Sequence, residues 1–283
     1  MILFKKAADL RKWLDGQQEK GNTAGFVPTM GALHSGHISL IQTAAKENPL
    51  TVCSIFVNPT QFNDPSDFEK YPVTIEKDIL LLEEAGCDVL FLPSVKEMYP
   101  NGVKAKMYYD LGYLETVLEG KFRPGHFQGV CMVVHRLLEI VEPSMLYLGQ
   151  KDYQQCMVIT KLVELTGQSQ KIKVIICPTL REQDGLAMSS RNMRLNETER
   201  ENATTIFRVL NFIKENTGTG DLSALKEQAR MQLEDAGFRV DYVEIAGAYD
   251  LSLTDDWDGK KKLVALVAAF LNQVRLIDNM LLN

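Results

Sequence analysis

Up to about residue 178 the chain alternates short runs rich in β-branched and aromatic residues with longer segments of helical period, and this alternation limits the fold more than any other feature. The strand candidates are 24–28, 51–57, 88–93, 145–148 and 172–177. Between them, Val130, Val133, Val134, Leu137, Leu138 and Val141 recur at spacings of three and four, which places six apolar side chains on one helical face. Strands alternating with helices predict a doubly wound α/β domain, a parallel sheet covered on both sides. Ligands of such sheets sit at the C-terminal ends of the strands, so the residues just after each strand matter most. The opening stretch MILFKKAADLRKWL reads as one amphipathic helix. Beyond Pro178 a polar stretch is followed by helical segments at 198–216 and 222–236 and strand-like runs at 240–245 and 262–271. The expected organisation is therefore a domain over 1–178 and a smaller α+β domain over 179–283, closing over the site.

Composition narrows the function classes. The longest apolar run, Leu263 to Leu271, is nine residues, and a membrane-spanning helix needs about 20. No membrane partner is expected. A net charge of −6 argues against nonspecific nucleic-acid binding, and an anionic ligand would need locally concentrated positive charge. The five cysteines (Cys53, Cys87, Cys131, Cys156 and Cys177) are odd in number and contain no Cys-x-x-Cys pair. Reduced, buried thiols and a cytoplasmic address follow.

Five clusters carry chemistry. Pro28-Thr29-Met30-Gly31-Ala32-Leu33-His34-Ser35-Gly36-His37 follows the first strand candidate and opens a helix that Ser35 is placed to cap. Unpaired amides at a helix N-terminus suit phosphate, the glycines allow close backbone approach, and His34 and His37 can donate ring N–H bonds. A plain strand-to-helix turn or a metal pair are the competing readings. Asn58 and Gln61, after the next strand, are neutral amides able to hold a carboxylate and a hydroxyl. Asp78, downstream of Tyr71-Pro72-Val73-Thr74, is either a magnesium ligand or a solvated helical acid. Lys121-Phe122-Arg123-Pro124-Gly125-His126-Phe127 is a loop that either walls the site or merely connects. Gly149-Gln150-Lys151-Asp152, with Gln155 one turn later, offers a compact cation to a phosphoryl group. Met188-Ser189-Ser190-Arg191 offers two hydroxyls and a guanidinium to phosphate oxygens.

His34-Ser35-Gly36-His37 resembles the His-x-Gly-His signature of the nucleotidylyl transferase superfamily, which implies a Rossmann-like domain that binds ATP. All the clusters together, continued by Val267-Ala268-Ala269-Phe270 and Arg275-Leu276-Ile277-Asp278-Asn279, resemble the pantothenate synthetase (pantoate–β-alanine ligase) family over essentially the whole chain.

That resemblance implies ATP-dependent joining of D-pantoate to β-alanine through pantoyl adenylate, with AMP and diphosphate released. It implies that Met30 through His37 line the ATP site, with His34 and His37 on the phosphates and His37 as a proton donor. Gly149 to Asp152 would bind ATP, with Lys151 on the α-phosphoryl group. Leu180 would meet adenine through its backbone, and Met188 to Arg191 would meet phosphates. Gln61 and Gln155, with Asn58, would hold pantoate and β-alanine. Mg2+ on the phosphates, with Asp78 as its protein ligand, and a homodimer built through the N-terminal domains complete the expectation. One departure is visible: Val73 stands where the family usually has arginine. Nucleotidylyl transfer to a phosphorylated acceptor and a non-catalytic nucleotide sensor are the alternatives from other classes.

Overall fold

Six strands of the computed structural model, which describes residues 1–62, 68–69, 71–103 and 107–283, pair side by side in parallel. They are β1 (Ile2–Phe4), β2 (Ala24–Thr29), β3 (Leu50–Ile55), β4 (Val89–Phe91), β5 (Met145–Gly149) and β6 (Lys173–Cys177). Their order across the sheet is β1-β4-β3-β2-β5-β6. Val27, Cys53 and Leu90, on neighbouring strands, share one core with Leu40, Ile41 and Ala44 of the helix Ser35–Glu47 and Leu82 of the helix Ile75–Glu84. The helix His126–Val141 packs on β2 and on the helix Ala7–Gln18. A sheet covered in this way needs apolar residues on both faces, and this is why its strands read as continuous apolar runs. Each large apolar side chain so buried contributes about 1.5–3 kcal/mol.

The chain runs outward from β2 through β3 to β4 on one side, and from β5 to β6 on the other. The order therefore reverses between β2 and β5, where doubly wound sheets place their ligands. Gly25 pairs with Met145 and Phe26 with Leu146, a register that sets Thr29 level with Gly149 at the rim. The candidate segments 30–37, 58–61 and 150–155 follow β2, β3 and β5 in the chain.

A three-stranded antiparallel sheet, in the order β11-β10-β8, builds the second part from β8 (Phe238–Gly247), β10 (Leu263–Leu271) and β11 (Val274–Leu281). Outside that sheet, β7 (Gly220–Asp221) pairs with β9 (Asp256–Trp257). The helices Thr205–Asn216 and Ser223–Asp235 supply Ile206, Val209, Leu210, Ile213, Ala229 and Leu233 to a core with Val243, Ile245, Ala265 and Val267.

Three readings are corrected. The opening stretch is not one helix: Ile2–Phe4 pairs with Val89–Phe91 as β1, and the helix starts only at Ala7. The segment 198–216 is two helices, Glu197–Ala203 and Thr205–Asn216, meeting at Thr204. The compact units are Met1–Gly149 with Val158–Cys177, and Gln150–Met157 with Pro178–Asn283. Residues 150–157 thus go with the second unit rather than with the stretch before 178.

Candidate active site

β2 ends at Thr29, and the chain turns through Gly31 (φ +84°) and Ala32 (φ +49°) before the helix begins. Left-handed backbone is ordinary for glycine and costly for alanine, so something must hold Ala32 there. Asp78 does. Its Oδ2 accepts the Ala32 N–H and its Oδ1 the Leu33 N–H, both at 2.9 Å, and Oδ1 also accepts the Thr74 hydroxyl at 3.0 Å. The carboxylate is fully buried. A Cβ on Gly31 would lie 3.1 Å from Asp78 Oδ2, so glycine leaves room for the acid.

The cap of the helix Ser35–Glu47 is His34 and not Ser35. Its Nδ1 accepts the Gly36 N–H at 3.2 Å, while His37 Nδ1 accepts the His34 N–H at 3.4 Å. This is a capping box in which imidazoles take the places of the usual hydroxyl and carboxylate. A ring nitrogen that accepts carries no proton, so in this geometry both imidazoles hold theirs on Nε2. The rings lie 4.0 Å apart, centroid to centroid. Two Nε2–H donors beside the positive end of a helix dipole are suited to phosphate oxygens.

Gln61 joins this turn: its Nε2 donates to Met30 Sδ at 2.7 Å. Asn58 stands behind it. Asn58 Nδ2 donates to Gln61 Oε1 (3.2 Å) and to the Gly129 carbonyl (3.1 Å), and Oδ1 accepts from Thr60 N, Thr60 Oγ1 and Tyr99 Oη. With 1% of its surface exposed and its amide bonded to protein groups, Asn58 orients Gln61.

The loop around Arg123 is bound to the same residue. His126 Nδ1 donates to the Gln61 carbonyl at 2.7 Å, and Arg123 Nη2 reaches that oxygen at 3.4 Å. The helix His126–Val141 can come this close because Gly129 has no Cβ; one built there would fall 2.3 Å from the Thr60 carbonyl oxygen. Glycine and proline mark the loop in the sequence without revealing what it holds. Tyr99 and Gly129 carry no signal in the sequence, because their partners lie 41 and 71 residues away.

The remaining candidates belong to the second unit. Gln150–Asp152 form one turn of 3-10 helix, with Lys151 Nζ 3.8 Å from Asp152 Oδ1, and Gln155 follows in the helix Tyr153–Leu165. Gly149 remains at the rim of the parallel sheet. Leu180 and Met188 come together: the Met188 N–H donates to the Leu180 carbonyl at 3.1 Å, beside a bridge between Arg181 and Ala187. Ser189 Oγ caps the 3-10 turn Ser190–Arg194 by accepting the Arg191 N–H at 3.2 Å, and Ser190 is buried.

The metal reading of Asp78 does not fit this structure, because its oxygens face backbone amides and a hydroxyl inside the core. Among the described residues no group of three or more His, Cys, Asp or Glu side chains is placed to hold a metal ion. Val73 is exposed, one residue before the Thr74 that touches Asp78.

A doubly wound sheet with a phosphate-type helix N-terminus at its switch point, two Nε2–H imidazoles and an amide subsite alongside define a nucleotide-dependent α/β enzyme of the His-x-Gly-His class. Within that class the family is shown. The model described as pantoate–β-alanine ligase matches residues 2–281, and the chain belongs to this family. It is 44% identical over 295 residues to a pantothenate synthetase of Cytophaga hutchinsonii, covering 100% of this chain and 99% of the relative. The corresponding enzyme of Bacteroides thetaiotaomicron is 43% identical, covering 99% and 98%. Among solved structures, a pantothenate synthetase from Thermus thermophilus matches with a TM-score of 0.90 at 40% identity over 99% of both chains. The Francisella tularensis pantoate–β-alanine ligase, solved as a complex with β-γ ATP and β-alanine, matches with a TM-score of 0.81 at 39% identity, covering 99% of this chain and 97% of that one.

Proposed function

We propose that this protein condenses (R)-pantoate with β-alanine to pantothenate at the expense of ATP, through a pantoyl adenylate. A pantoate carboxylate oxygen attacks the α-phosphorus and the α–β bridging bond breaks, releasing diphosphate. The amine of β-alanine then attacks the acyl carbon, the C–O bond to phosphate breaks, AMP leaves and the nitrogen loses a proton. Both nucleophiles come from the substrates, so the enzyme positions groups and stabilises charge. The observation that carries this reading is the contact of Gln61 with Met30, which puts a neutral amide suited to a hydroxy acid beside the nucleotide turn.

His34 and His37 donate from Nε2 to phosphate oxygens, with His37 as the proton donor, and the positive end of the helix dipole adds to their pull on the anion. Lys151 offsets the charge that builds on the α-phosphoryl group, and Gln155 completes the pantoate contacts begun by Gln61. Leu180 offers adenine its backbone, and Met188–Arg191 meet phosphates with hydroxyls and guanidinium. Magnesium enters with ATP as the counter-ion of its phosphates, and no step rests on a protein ligand for it. The resemblance supports a homodimer built through the N-terminal part, which light scattering would read as twice 31.9 kDa. Five reduced thiols support a cytoplasmic address, and no described helix is long and apolar enough to cross a membrane.

The test is diphosphate release from MgATP and D-pantoate, with and without β-alanine. Pantoate-dependent release that turns over, with stoichiometric AMP, only when β-alanine is present is expected. A folded, ATP-binding protein that shows no pantoate dependence would overturn the substrate assignment. Lys151→Ala should lower kcat at least ~100-fold with ATP affinity changed less than about threefold, the pattern of a group acting in the transition state.

A further inference from the structure

The motif Arg275-Leu276-Ile277-Asp278-Asn279 has no place in the mechanism above, yet its last residue is joined to the loop that carries Lys151. Asn279, on β11 and 2% exposed, donates from Nδ2 to the carbonyls of Gln150 (2.9 Å) and Lys151 (2.8 Å). Its Oδ1 accepts Gln150 Nε2 at 3.2 Å. Both amide hydrogens therefore fix consecutive carbonyls of one turn, and the oxygen fixes the Gln150 side chain. A carboxamide is the side-chain group of this size that offers two donors and an acceptor at once.

The clamp is itself held. Asp278 Oδ1 accepts the Asn279 N–H at 2.8 Å, and Arg181 forks onto both Asp278 oxygens at 2.5 and 3.0 Å while stacking on the Phe207 ring. Burial pushes the Asp278 carboxyl up, and the guanidinium opposes that shift. The ion pair anchors the strand position from which Asn279 reaches the loop.

We propose that Asn279 is a positioning residue for Lys151, fixing the turn from which the ammonium reaches the reacting phosphate. This rests on the catalytic role assigned to Lys151 above, so the test separates the two. Diphosphate release is measured for the full-length wild type, K151A, N279D and the double variant, alongside amide exchange over 150–155. N279D keeps shape and volume but sets oxygen against two carbonyls. It is expected to lower kcat at least ~30-fold with the KM for ATP within about threefold, to speed exchange over 150–155, and to cost under about threefold more in the K151A background. Equal losses in both backgrounds, or kcat within threefold of wild type, would overturn the proposal. If K151A is itself fully active, the role of Lys151 fails, and the exchange rates alone then judge the clamp: unchanged exchange in N279D removes it as well. Should N279D not fold, N279A, which removes the donors without adding repulsion, carries the same comparisons.

Discussion

At the scale of single residues, the site depends on polar groups whose work is done out of sight of any ligand. Asp78 is the plainest example. Hydrogen bonds to a charged acceptor contribute roughly 1.5–3 kcal/mol each, and a buried donor left unpaired costs about as much. Asp78→Asn keeps one acceptor but turns an NH2 toward a backbone N–H, so it should destabilise the fold by about 2–3 kcal/mol and weaken ATP binding at least ~tenfold. Urea unfolding and calorimetric titration with ATP measure both, and unchanged values would remove the loop-holding role. Excess magnesium separates this from metal ligation, since it would rescue a lost metal ligand but not a lost loop anchor. The histidines, the glutamines and Lys151 stand out in the sequence as candidates because each sits in a local run after a strand. Asp78 was legible only as an acid near the site. The two backbone amides it holds are 45 and 46 residues away, and local pattern carries no trace of such a pairing.

At the scale of elements, the helix His126–Val141 does more than cover the sheet: its first turn grips the backbone of the turn that bears Gln61. Gly129→Ala tests this with a sign opposite to helix propensity. In an open helix the change should stabilise by about 1 kcal/mol. Here the new methyl meets the Thr60 carbonyl, and overpacking should cost about 1–3 kcal/mol. The KM for pantoate should rise several-fold while that for ATP stays within about twofold. A more stable variant with wild-type KM values would show that the helix and turn are not tightly fitted. The strands at 24–29, 50–55 and 145–149 were readable because burial on both faces makes continuous apolar runs. β1 was not, since three residues followed at once by two lysines read as the start of an amphipathic helix, and only pairing with β4 makes them a strand. The break at Thr204 was invisible because Ala203 and Ile206, three residues apart on either side of it, keep helical spacing.

At the scale of the whole molecule, buried thiols and one partly exposed ion pair each make a prediction. The cysteines are free and buried, and burial pushes the thiols of Cys87 and Cys131 up to about 12. A thiol so raised is almost entirely protonated at about pH 8, and the thiolate is the reactive form. A chromogenic disulfide reagent should therefore find fewer than one thiol per native chain within minutes and five after denaturation; rapid native reaction of several would contradict the packing. In the second unit, Arg200 beside Asp184 holds that carboxyl below its ordinary 3.8. A lowered folded-state value stabilises above the unfolded value and is lost as pH falls through the folded one. Asp184→Asn should thus lower Tm slightly at about pH 7 and match wild type once acid has protonated the carboxyl in both states. A difference that persists in strong acid would assign the effect to packing instead.

Asn279 closes the turn at Gln150 and Lys151 from 129 residues downstream. During synthesis the nucleotide turn and its histidines can be complete long before that asparagine is made, whereas the lysine's turn cannot. On the roles proposed above, the nascent chain should accordingly form its phosphate-binding turn before the turn from which Lys151 acts, so that groups which bind are made before the group which reacts.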